Sequence, residues 1–170
     1  EDPAFKGDWG GIRFSSDEGT STISHATIEM AKDGVWTARD CNIEISDCEI
    51  GTNIDYGVYL GGNSNAAIVD STIIRNSTGI ENYGTMTINN CIVSSNSGTG
   101  IGSDGTHIEI YDSEITENET GVKLYNSSSN SKVQGCYISD HFYYGVEGNS
   151  FEVIDSVFSL NGRKLAQFAV

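Results

Sequence analysis

The chain has 170 residues, 24 acidic against 9 basic side chains, and a net charge of -15 at pH 7. That charge disfavours the phosphate backbone of nucleic acid and anionic membrane surfaces, and no apolar run approaches the roughly 18 residues of a membrane span. One Pro, 20 Gly and abundant Ser, Thr and Asn between isolated Ile and Val residues argue against long helices and for many short strands joined by tight turns.

The chain reads as one domain over residues 1–170, made of an opening segment 1–10, coils over 11–160, and a partial coil or cap over 161–170. The opening segment carries Phe5 and Trp9 as its apolar anchors. It has neither an initiator Met nor a signal-peptide pattern, as expected of a processed or excised piece. From Gly11 onward a Gly followed by Ile or Val recurs at Gly34, Gly57, Gly79, Gly100, Gly121 and Gly145, with spacings of 23, 23, 22, 21, 21 and 24 residues. A period in the low twenties that carries short alternating apolar segments is the size of one coil of a β-solenoid.

Alignment on these glycines produces columns. One reads Ile23, Ile45, Ile68, Ile88, Ile110, Val133 and Val153, and another reads Ile28, Ile50, Ile73, Val93, Ile115, Ile138 and Phe158. Between them runs a column of small residues, Ala26, Cys48, Ser71, Cys91, Ser113, Cys136 and Ser156, predicting buried thiols at three of the four cysteines. The fourth is Cys41; with no CxxC pair, neither a structural zinc site nor a thioredoxin-like motif is indicated. Asp47, Asp70, Asn90, Asp112 and Asp155 share one bend position, and Asn53, Asn76, Asn96, Asn118 and Asn161 another. Both sets are expected to bond to nearby backbone, and the glycines are expected at bends with positive φ. A leucine-rich repeat has a similar period but needs a leucine framework, and Leu60, Leu124, Leu160 and Leu165 are the only leucines. A β-sandwich would leave the seven aligned columns unexplained.

The segment Trp9-Gly10-Gly11-Ile12-Arg13-Phe14, followed by Ile23-Ser24-His25-Ala26-Thr27-Ile28, resembles the opening coil and next strand of surface repeats in the pectate-lyase-like superfamily. Later coils such as Ile88-Asn89-Asn90-Cys91-Ile92-Val93 resemble the generic repeat. The resemblance spans nearly the whole chain and implies an all-β, right-handed parallel β-helix of about seven coils, in a secreted or cell-surface setting. It identifies architecture and not activity, because that superfamily holds lyases, hydrolases, epimerases, adhesins and plain structural domains.

No catalytic signature is present: the Asp-Pro-His-Asp segment of related epimerases and the paired-aspartate and His-Gly signatures of related polygalacturonases are both missing. His25, His107 and His141 sit at unrelated columns, so they predict no shared metal; His25 and His141 replace Asp or Asn at the bends. The Asp column is interrupted by Asn90 and Gly135, which favours turn capping over a dedicated calcium cage and leaves calcium without a specific site. One outward column runs Arg13, Trp36, Tyr59, Glu81, Gly102, Lys123 and Glu147. Its first three members are the candidate ligand-binding residues, as a sugar platform on neighbouring rungs. Asn76, Asn118 and Asn126 fit the N-glycosylation acceptor pattern. The expected function is an extracellular structural or interaction module, open at its ends and able to stack end to end or join adjacent domains. The alternatives are a carbohydrate-binding domain and a polysaccharide-active lyase, hydrolase or epimerase.

Overall fold

The structure is a computed structural model that describes residues 6–15, 19–125 and 130–162. The first coil shows the plan, with strands Ile12–Phe14, Thr20–Ser24 and Thr27–Glu29 each opening a different sheet. Six further sets of three strands stack on these, giving three sheets of seven strands with parallel pairing throughout. The chain forms an all-β, right-handed parallel β-helix.

Register is set by the apolar columns. In the second sheet Ile23 pairs with Ile45, Ile45 with Ile68, Ile68 with Ile88, Ile88 with Ile110, Ile110 with Val133 and Val133 with Val153. In the third sheet the ladder runs from Ile28 through Ile50, Ile73, Val93, Ile115 and Ile138 to Phe158. A single coil has too few inward residues to exclude water. Stacking at about 4.8 Å joins them into one core that runs the length of the helix.

Two sequence readings of the corners change. The Asn53, Asn76 and Asn96 side chains do not cap local turns; with Asn118, which keeps one local bond from Nδ2 to the Thr116 carbonyl at 3.0 Å, they form a buried ladder between coils. Asn53 donates to Asn76 Oδ1 from its backbone N–H and from Nδ2, at 3.1 and 2.9 Å. The same pair of bonds links Asn76 to Asn96 and Asn96 to Asn118. Each side-chain oxygen thus satisfies a backbone donor that the corner would otherwise bury without a partner. Ala31 begins the ladder by donating its N–H to Asn53 Oδ1, and His141 and Asn161 continue it.

The repeated glycines answer to this ladder. Of the seven, Gly11 alone has positive φ, at 88°. Gly34, Gly57, Gly79, Gly100, Gly121 and Gly145 instead leave room for the ladder: a Cβ on Gly79 would lie 2.5 Å from the Gly100 carbonyl oxygen and 2.9 Å from Asn96 Nδ2. Positive φ falls on the other corner column, at His25, Asp47, Asp70, Asn90, Asp112, Gly135 and Asp155, with φ between 46 and 67°. Asp and Asn are common there because they enter the left-handed region at less cost than other side chains. A second left-handed column, Met30, Thr52, Arg75, Ser95, Glu117, Asp140 and Leu160, immediately precedes the Asn ladder.

Candidate functional site

The first sheet presents the most chemically varied outer face. Its register places Arg13 beside Trp36, Trp36 beside Tyr59, Tyr59 beside Glu81, Glu81 beside Gly102, Gly102 beside Lys123 and Lys123 beside Glu147. The three candidate ligand-binding residues therefore stand on consecutive rungs. The Arg13 guanidinium carbon lies 4.4 Å from the Trp36 ring centroid, and Trp36 and Tyr59 are parallel with centroids 5.7 Å apart. Tyr59 also contacts Tyr56 and Tyr83, at 5.3 and 5.5 Å. Since Arg13 and Tyr59 flank Trp36 along the helix axis, both indole faces are engaged within the column. A sugar would meet the ring edges and the tyrosine hydroxyls instead of an open indole face.

Glu81 follows Tyr59 in this column, and its role comes from the rung beyond it. Gly102 has no side chain on the next rung, and the Glu81 carboxylate lies across it: a Cβ there would fall 2.5 Å from Glu81 Oε2. Burial raises the Glu81 pKa to about 7; Asp104 adds to the rise and Lys123 opposes it. The hydroxyls of Tyr56 and Tyr83 are likewise raised, first by burial and then by the Glu81 charge. Lys123 turns to Glu147 at 3.6 Å and to the ring of Tyr125 at 4.9 Å. The face thus runs from an Arg–aromatic stack to a carboxyl group that titrates near neutrality.

The glycosylation candidates fall elsewhere. Asn76 and Asn118 are 2% and 3% exposed and use Nδ2 inside the ladder, so the folded protein has no room for a glycan there. Asn126 lies outside the described residues.

All three histidines, four cysteines and two methionines lie among the described residues. His141 is fully buried in the ladder: Asn118 donates its N–H to Nδ1 at 3.1 Å, and Nε2 lies 3.0 Å from the Ile115 carbonyl. Burial lowers its pKa. His25 faces Asp47 at 3.9 Å on an exposed corner, and His107 faces Glu109 at 3.5 Å on the second sheet. Cys48, Cys91 and Cys136 are buried on alternate coils with Ser71 and Ser113 between them. Met86 is fully buried and Met30 sits at a corner.

The sequence profile described as periplasmic copper-binding protein (NosD) matches residues 7–162. The chain belongs to the NosD family. No curated protein and no solved structure matches it. The NosD match agrees with the β-helix and coarsely with the secreted setting read from the sequence, and no described helix is long and apolar enough to cross a membrane. The copper in the NosD description finds no matching donor set among the described residues, where no group of three or more His, Cys, Asp or Glu side chains is placed to hold an ion.

Proposed function

We propose that this NosD-family chain is a rigid scaffold of the periplasm or cell surface that docks through its last described coil, residues 146–162. The observation that carries this reading is a break in burial along otherwise equivalent columns. Val133 and Ile138 are fully buried, whereas their partners in the last coil, Val153 and Phe158, are 43% and 42% exposed. Val157 and Leu160 extend the same apolar patch. Among the described residues no further rung covers this core end or pairs with its strand edges, an arrangement that favours the addition of further β-structure.

The simplest occupant is another copy of the chain. Stacking in register would bring the Glu147 end of the outward column to the Arg13 end of the next copy, joining opposite charges. At that receiving end Gly7 donates its N–H to Met30 O and Lys32 donates to Trp9 O, so the opening segment must move aside at one corner. Light scattering and negative-stain microscopy over a range of concentrations test the reading. Reversible end-to-end association that Val153→Asp with Phe158→Asp abolishes supports it. Identical, isolated rods from both proteins would end it.

A polysaccharide ligand is the second reading, favoured by the continuous Arg13, Trp36 and Tyr59 row on the first sheet, with Tyr83 packed on Tyr59 from just beyond the next strand. Its contacts would be hydrogen bonds to tyrosine hydroxyls and Arg13, with ring edges supplying apolar surface. A glycan screen with wild type and Tyr59→Ala decides it: binding should appear with the former and vanish with the latter while the fold is retained.

A further inference from the structure

We infer that the cysteines of this chain form a structural thiol–hydroxyl ladder that withholds them from copper, so that its folded coils hold no copper through sulfur or imidazole. This departs from the description of its family and rests on how the soft donors are placed.

The four cysteines follow one pattern. The backbone N–H of Cys48 donates to Ser71 Oγ at 3.1 Å, that of Cys91 to Ser113 Oγ at 3.1 Å, and that of Cys136 to Ser156 Oγ at 3.1 Å. Cys41, in a different corner, repeats it with Ser64 Oγ at 3.0 Å. In each case the acceptor serine belongs to the next coil and returns its own proton to a nearby carbonyl, as Ser71 does to Val69 O at 2.8 Å. The thiols point back the same way: Cys48, Cys91 and Cys136 Sγ donate to the carbonyls of Ser46, Asn89 and Gln134 at 3.1, 3.2 and 3.4 Å.

Two consequences bear on metal. A serine rung separates successive cysteines of the main column, so two Sγ atoms stand about 9 to 10 Å apart, two coil rises of about 4.8 Å each. That is too far to share one copper ion or to form a disulfide. Each thiol is also buried with its proton engaged, and burial raises the pKa of Cys91 and Cys136 away from the thiolate that copper needs. Among the other soft donors, His141 has both ring nitrogens engaged in the wall and Met86 lies in the core. His25 is on an exposed corner and His107 on the second sheet, with one carboxylate apiece.

The test is an anaerobic titration of Cu(I), held by a chromophoric chelator, against the reduced chain, folded and in guanidinium chloride, with thiol counting by a disulfide reagent in parallel. The folded chain should leave copper on the chelator and react at none of its four thiols on the timescale of minutes. The unfolded chain should withdraw copper and expose all four. Withdrawal of one equivalent or more by the folded chain would overturn the inference, and loss of that uptake in Cys48→Ser or His25→Ala would locate the site. Cu(II) added to the folded chain and read by electron paramagnetic resonance should show only weak, non-stoichiometric binding; a stoichiometric nitrogen-coupled spectrum would overturn the imidazole half of the inference.

Discussion

Asn76 Oδ1 accepts both the backbone N–H and the Nδ2 of Asn53, one coil away, at 3.1 and 2.9 Å. One buried oxygen therefore closes a corner of the preceding coil, while Asn76 repeats the arrangement on Asn96. Replacing Asn76 with Ala would orphan two buried donors on Asn53 and remove the Nδ2 bond to Asn96, leaving only the backbone N–H on that rung. The expected cost is about 2 to 4 kcal/mol, read as a lower urea midpoint with an unchanged slope.

The glycine column depends on that ladder. Gly79→Ala would drive a Cβ against the Gly100 carbonyl at 2.5 Å, and backbone there is held by sheet pairing on both sides. A loss on the order of 3 kcal/mol is expected. Gly10→Ala is the control, since nothing lies within 4 Å of its Cβ position. Equal thermal midpoints for the two variants would contradict this account of why the repeat keeps its glycines.

Thr52 holds a left-handed conformation at φ 55°, which is poorly suited to a β-branched side chain. Its hydroxyl bonds to the Gly51 carbonyl at 2.7 Å and offsets part of the strain. Thr52→Gly is expected to raise stability by about 1 kcal/mol, and Thr52→Val to lower it. Chemical denaturation of the two variants side by side measures both signs.

Two groups make stability depend on pH in opposite directions. His141 accepts at Nδ1 from Asn118, and burial lowers its pKa from 6.5. The unfolded chain therefore takes up this proton first, and stability falls as pH drops below about 6.5. Glu81 is raised from 4.5 to about 7. The folded chain holds this proton more tightly, so its contribution is full at low pH and is lost as pH rises from about 4.5 through about 7. Urea midpoints from pH 5 to 8 should lose the acid-side decline in His141→Asn, which also restores an Asn rung. They should lose the opposite slope in Glu81→Gln. Variants that reproduce the wild-type profile would reject the corresponding assignment.

The inward columns were legible in the sequence residue by residue. Ile23 through Val153 and Ile28 through Phe158 pair as their spacing implies, because a parallel coil repeats its burial pattern at a fixed period. The same period placed Arg13, Trp36 and Tyr59 on neighbouring rungs. What that placement means chemically was not legible, since side-chain direction along the axis decides whether a ring offers a face or an edge. Here Arg13 and Tyr59 take both faces of Trp36.

The recurrence of Asn and Gly was visible in the sequence, but its cause was not. Asn suits an exposed turn and a buried ladder alike, and Gly suits positive φ and close backbone approach alike. Only the distance from one coil to the next separates these cases. Asn76 and Asn118 show the consequence: their local pattern suits glycosylation, yet the stack turns both inward. Period and inward polarity thus reside in the order of residues, because each coil repeats the same local pattern. The role of a polar corner residue or an outward aromatic depends on its neighbours about twenty residues away along the chain and one rung away in space.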